Sequence, residues 1–227
     1  MARILRYLAA LVIPAAASAA GLADISNRDA VNGLKEALTR GSQAAVARLG
    51  VVDGFLRNDS VRIGLPPALR SAEAVIRSIG MSTQADELVL RMNRAAEAAV
   101  PEARTLFTDA VKKMSVQDAK GILTGGDDAA TQYFKRTTSE PLAKRFQPIV
   151  KKAMEKVKLA EKYNEIAASG ARLGLVKDEE AKLEDYVTRR ALDGLFIVIA
   201  EEEKKIRKDP AGAASSIIRK VFGALRK

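Results

Sequence analysis

The sequence predicts one all-α domain of about eight to ten helices, placed behind a cleaved signal peptide. Three observations predict it. Apolar residues recur at three- and four-residue steps through most of the chain, which is the period of a helix face. No segment alternates for long enough to build a sheet. Aromatic residues make up only 4% of a chain that is 48% hydrophobic, a composition suited to close Ala- and Leu-rich helix packing. There is no repeat of fixed period and no low-complexity linker long enough to separate two domains. A chain of 227 residues therefore reads as one folding unit.

Residues 1–19 have the pattern of an export signal. Arg3 and Arg6 give a positive start, and Tyr7 to Ala17 is an uncharged, mostly apolar run. Ala17-Ser18-Ala19 then offers small residues where a signal peptidase cuts, which predicts a mature start near Ala19/Ala20 and a periplasmic protein. The run is shorter than the roughly 20 residues a membrane-spanning helix needs. No Cys follows the signal, so lipid attachment there is excluded, and the exported domain must be stable without disulfides.

Residues 20–227 form the predicted helical domain. Ser26 can cap a first helix that carries Val31, Leu34, Leu38, Ala45 and Leu49 and stops at Gly50. Residues 51–66 hold the turn signals Asp53-Gly54, Asn58-Asp59 and Pro66-Pro67 and read as an ordered loop. Pro67 opens a helix to about Ile79, stopped by Gly80. Ser82 or Thr83 caps the next, with Leu88, Met92, Ala95 and Ala99 on one face, and Pro101 begins another. Ser115 and Asp118 start a short helix that ends before Gly125-Gly126, after which Asp127 caps a helix through Phe134. Residues 138–169 read as a long helical stretch kinked or divided at Pro148. Asp178-Glu179-Glu180 is an acidic helix start, and Leu183 to Arg207 follows as one or two helices with Leu195 to Ile199 as the buried centre. Residues 209–216 are a short linker to a last helix, about Ser215 to Leu225.

Composition excludes much chemistry. With no His and no Cys, a Ser-His-Asp triad, a Cys nucleophile and a zinc site of the usual ligands are impossible. No catalytic residue, metal site or cofactor is assigned. The net charge is +10, and the excess is uneven: residues 135–162 carry nine positive and three negative side chains. An anionic partner belongs there. Nucleic acid is disfavoured, because the signal sends the chain out of the cytoplasm and Trp is absent.

Three phrases stand out: Met92 to Glu97 (MNRAAE), Lys120 to Phe134 (KGILTGGDDAATQYF), and Ala191 to Phe196 (ALDGLF) with Glu201 to Arg207 (EEEKKIR). Gly174 to Asp178 fits the same pattern. On these residues the chain resembles the exported bacterial proteins grouped as domain of unknown function 4197, from about Gly33 to Phe222. The resemblance implies an exported helical domain of Gram-negative bacteria. It implies no reaction and no ligand.

Three constellations are candidate sites. Asn93, Arg94 and Glu97 lie within one helical turn next to an apolar face, as a buried polar network or as the polar wall of a ligand pocket. Gly125, Gly126, Asp127 and Asp128 form a turn before a helix start. The glycines permit positive φ, and the paired acids suit a cation or a sugar hydroxyl better than an anion, the plainer reading being a cap and turn. An EF-hand is rejected, because Ala129 and Ala130 stand where oxygen ligands are needed. Third, Leu142, Phe146, Ile149, Val150, Ala153, Met154, Val157 and Ala160 share one side of a helical wheel. Lys144, Arg145, Lys151, Lys152, Lys156, Lys158 and Lys162 occupy the other. That face is either solvated or a docking surface for anionic lipid headgroups or another envelope polyanion. The expectation is a non-enzymatic periplasmic binding domain whose partner is an envelope protein, an anionic lipid or a cell-wall polymer. The alternative is an envelope glycan hydrolase using carboxylates among Glu97, Asp109, Asp118, Asp127 and Asp128.

Overall fold

The computed structural model describes residues 27–71, 73–155, 157–164, 182–210 and 215–224. The segment read as a signal peptide, Ser26, residues 165–181 with the acidic start at 178–180, and residues 211–214 of the expected linker lie outside these. Among the described residues every regular element is a helix. The numbered helices are α1 (Asn27–Leu49), α2 (Pro67–Ser71), α3 (Glu73–Ser78), α4 (Ser82–Ala99), α5 (Ala103–Lys113), α6 (Val116–Thr124), α7 (Ala129–Met154), α8 (Leu183–Lys208) and α9 (Ser216–Ala224).

The apolar stripes read from the sequence face inward. Leu34, Leu38, Ala45 and Leu49 of α1 and Leu88, Met92, Ala95 and Ala99 of α4 are buried. α7 packs between α8 and α4, and α1 packs on α8, α5 and α9. At the centre Phe107 meets Phe134 at 4.8 Å and Phe196 at 6.4 Å between ring centroids. These tilted and edge-on contacts are the preferred aromatic geometries. Gly194 of α8 makes one close approach possible: a Cβ there would lie 2.7 Å from the Phe55 ring.

Several boundaries differ from the sequence reading. Residues 67–71 and 73–78 are helical, in line with that reading, and Gly80 at φ 80° turns the chain. Met81, not Ser82 or Thr83, occupies the N-cap of α4 and makes no side-chain cap bond. Pro101 sits inside a single 3-10 turn, Val100–Glu102, that joins α4 to α5. α6 does start with the Ser115/Asp118 capping box, both reciprocal bonds being present. α7 is one helix from Ala129 to Met154 and passes through both Pro141 and Pro148. A proline removes one donor from the ladder and tends to bend it. Pro148 is exposed and Pro141 is half-buried, at the helix surface where that loss is cheapest. Helix geometry ends at Met154 and resumes over 158–164, so the 142–162 wheel spans a break. α8 is a single helix, and Ile197 in its apolar run is 44% exposed, so that run is not buried on all sides.

Candidate functional site

Residues 51–66 pass over α4 and α8, and the polar triplet of α4 holds them there. Asn93 is fully buried. Its Oδ1 accepts from the Ile63 N–H at 2.9 Å, and its Nδ2 donates to the Ile63 carbonyl at 2.8 Å and the Val89 carbonyl at 2.7 Å. The amide thus treats Ile63 as a neighbouring strand would, satisfying both backbone groups of a buried residue. Glu97, also buried, accepts from the N–H groups of Phe55 and Leu56 at 3.0 and 3.1 Å through one oxygen. Its other oxygen accepts from Arg94 at 2.6 Å. Arg94 then donates to Asp53 at 2.7 Å, and Arg57 pairs with the second oxygen of Asp53 at 3.1 Å. The hydrogen bonds to Glu97 and then to Asp53 hold the Arg94 pKa above its ordinary value.

Asp53 has φ 70°, the one left-handed non-glycine among the described residues. Such a residue costs about 1–2 kcal/mol and persists where its surroundings over-determine it. Here the two guanidinium partners do so. Tyr186 adds a bond to the Gly64 carbonyl at 3.1 Å. Asn93 and Glu97 therefore staple the loop, and their polar atoms face backbone groups of residues 55–63.

A second buried group was not singled out by the sequence. Glu203 of α8 accepts from the Ala130 and Thr131 N–H groups and from the Thr131 hydroxyl, each at 2.9 Å. It also pairs with Arg207 at 2.9 Å, and Arg207 donates to the Ile122 carbonyl at 2.9 Å. This is a helix N-cap delivered from another helix, with a carboxylate at the positive end of the α7 dipole. Glu203 lies four and eight residues beyond Ile199 and Leu195, on the core stripe, which was the available signal.

The Gly-Gly-Asp-Asp turn is correspondingly plain. Gly125 has φ −83°, and Gly126 is not in the left-handed region either, so positive φ is not their reason for being there. A Cβ at Gly125 would lie 2.7 Å from both the Gly121 carbonyl oxygen and the Ala129 Cβ, so close packing explains it. Asp127 does not cap α7. Asp128 holds the N-cap position without a side-chain cap bond, and its carboxylate accepts from Gln132 at 2.8 Å instead. Both acids are exposed. Among the described residues no three acids converge on a metal position. Asp118 is occupied too: bonds from the Ser115 hydroxyl and then the Ser115 N–H hold its pKa below the ordinary carboxylate value. Burial raises that of Tyr133, whose hydroxyl donates to the Ala110 carbonyl at 2.7 Å.

On α7 the apolar positions Leu142, Phe146, Val150 and Met154 are buried, and Lys144, Arg145, Lys151 and Lys152 are exposed. Lys158 and Lys162 are exposed on residues 158–164, and Lys156 lies outside the described residues. Lys144 pairs with Glu140 at 2.6 Å, and Arg145 lies 3.8 Å from Glu102. Lys151 and Lys152 have no ion pair among the described residues.

Fold and site together define an all-helical domain whose buried polar groups staple a loop and a helix start, and whose cations stand on an outer helix face. The chain belongs to the family described as Protein of unknown function (DUF4197), whose family model matches residues 24–223. No curated protein and no solved structure matches it.

Proposed function

We propose that the protein is a non-enzymatic periplasmic domain that docks on an anionic membrane surface through the outer face of α7. The observation that carries this reading is the pair Lys151 and Lys152, exposed and without ion pairs among the described residues, beside Lys144 and Arg145. Arg145 is only distantly paired, with Glu102 3.8 Å away, and Lys144 shares a close but fully solvated pair with the exposed Glu140. Spaced point charges on a convex helix suit a sheet of phosphates better than a single small anion. No described helix is long and apolar enough to cross a membrane, which fits attachment from one side. The Arg3/Arg6 start and Ala17-Ser18-Ala19 support export to that surface. Two of the acids a hydrolase would use, Glu97 and Asp118, are engaged in structural hydrogen bonds, so binding is the reading taken.

The test is sedimentation with vesicles of phosphatidylglycerol and phosphatidylethanolamine, using the protein as isolated from cells. At about 1 kcal/mol per lysine, changing Lys144, Lys151 and Lys152 to Gln together lowers affinity roughly 10²-fold, and raising salt mimics it. Equal binding by wild type and the triple variant refutes the reading. Binding to cell-wall polymer or an envelope protein, with none to vesicles, replaces the membrane by that partner.

A further inference from the structure

Val51 and Val52 are adjacent and 54% and 74% exposed, on the turn that follows α1. A single exposed valine needs no explanation. Two features set this pair apart. The turn is braced from several sides and built at a cost. Asp53 is held left-handed by Arg94 and Arg57, and Gly54 folds so tightly on the end of α1 that a Cβ would lie 2.6 Å from the Leu49 carbonyl oxygen. Glu97 fixes the next two backbone N–H groups from below. A strained, over-determined turn that ends in exposed apolar side chains is a preorganised presentation of those side chains.

The surrounding charge says what it is presented to. In the ion pairs flanking the turn the cation is the more exposed partner: Arg57 is 81% exposed against 28% for Asp53, and Arg145 64% against 45% for Glu102. Arg48 and Glu201 are ordered the same way. The turn also adjoins the α7 basic face, since Gly50 packs on Pro101, whose neighbour Glu102 faces Arg145.

We infer that Val51-Val52 is a shallow insertion knuckle, two valines that enter the headgroup–acyl boundary of an anionic bilayer while the flanking guanidinium groups meet lipid phosphates. This rests on the docking reading above and adds the depth and orientation of contact.

The chain has no Trp, so Val52→Trp places a single indole at the tip. Its emission is followed as phosphatidylglycerol/phosphatidylethanolamine vesicles are added, with and without lipids brominated on the acyl chain, and sedimentation is measured alongside. The expected result is a blue shift with quenching by the brominated lipid. The double change Val51→Ser with Val52→Ser should weaken binding about tenfold and leave its salt dependence intact. Both positions are exposed, so an unchanged thermal transition serves as the folding control. If Val52→Trp sediments with vesicles in a salt-sensitive way but its emission stays that of an indole in water, the knuckle is refuted and the docking reading stands. If nothing sediments, the docking reading fails and takes the knuckle with it. If the emission shifts with an envelope protein fraction and not with vesicles, the knuckle is a protein contact and the inference is overturned.

Discussion

Replacing Asn93 with Ala tests whether the loop over α4 is held by that one amide. The substitution removes two bonds to Ile63 and one to the Val89 carbonyl. Ile63 is fully buried, so its N–H and carbonyl are left without partners and without access to water. Each orphaned buried group costs about 1–3 kcal/mol. The Val89 carbonyl lies inside a helix ladder, so its loss adds at the low end. The expected destabilisation is about 2–5 kcal/mol, a large share of the stability of any domain this size. Urea unfolding followed by circular dichroism reads it as a drop in midpoint at constant slope. Asn93→Asp sharpens the test. It keeps the acceptor for the Ile63 N–H but turns a carboxylate oxygen on two carbonyls. Burial beside those oxygens raises the folded-state pKa above the unfolded value of about 3.9. The penalty is therefore present at neutral pH and is relieved, relative to wild type, as pH falls through the folded pKa and the protonated acid can donate. A loss below about 1 kcal/mol in Asn93→Ala, or a pH-independent deficit in Asn93→Asp, would show that the Asn93 amide does not hold the loop.

Other expectations follow from the same geometry. Glu203→Ala removes the acceptor of two buried N–H groups and the partner of Arg207, and should cost about 3–5 kcal/mol in urea unfolding, whereas Asp127→Ala should stay within about 0.5 kcal/mol. Gly194→Ala drives a Cβ to 2.7 Å from the Phe55 ring and should destabilise by about 1–3 kcal/mol, while Gly64→Ala meets nothing within 4 Å and should be neutral or slightly stabilising. The depressed pKa of Asp118 makes its contribution present above the unfolded-state pKa and lost as pH falls through the folded value. Ser115→Ala should return the Asp118 carboxyl towards its ordinary titration, read by carboxyl-carbon NMR, and cost about 0.5–2 kcal/mol as a lost cap.

What was legible in the sequence was whatever is decided within a turn or two of chain. The Ser115/Asp118 box is complete over four residues, and the stripes of α1 and α4 announce their buried faces by spacing alone. Asn93 could be suspected because it sits beside Met92 on a face that is otherwise apolar. Its partner Ile63 could not, since that contact depends on how the 51–66 loop lies across α4. Asp127 was the natural cap for α7 by local rules. The helix instead starts one residue later, with Asp128 at its N-cap position, and Glu203 arrives from α8 to take the Ala130 and Thr131 N–H groups in a drier place. Local rules put a kink or a division at Pro148, and α7 runs on through it as one helix. A proline at an exposed position forfeits one ladder bond, while the buried side of α7 stays packed through Phe146 and Val150. The exposed cations of residues 135–162 were visible as composition, but the break after Met154, which splits that face between two helical segments, was not.

The cap on α7 also has a consequence for the order of events as the chain emerges. The acceptor is 72 and 73 residues downstream of the two donors it serves. During vectorial delivery, whether from the ribosome or across a membrane, α7 is exposed for the whole interval in which α8 has not yet followed, and its first turn has only water to bond. Loop closure over such a distance must come before the reward. The bonds that tie α6, α7 and α8 together through Glu203 and Arg207 can form only once that segment has arrived. A chain stalled or clipped before that point keeps an unsatisfied helix start and uncovered core faces, the features that chaperones and proteases recognise.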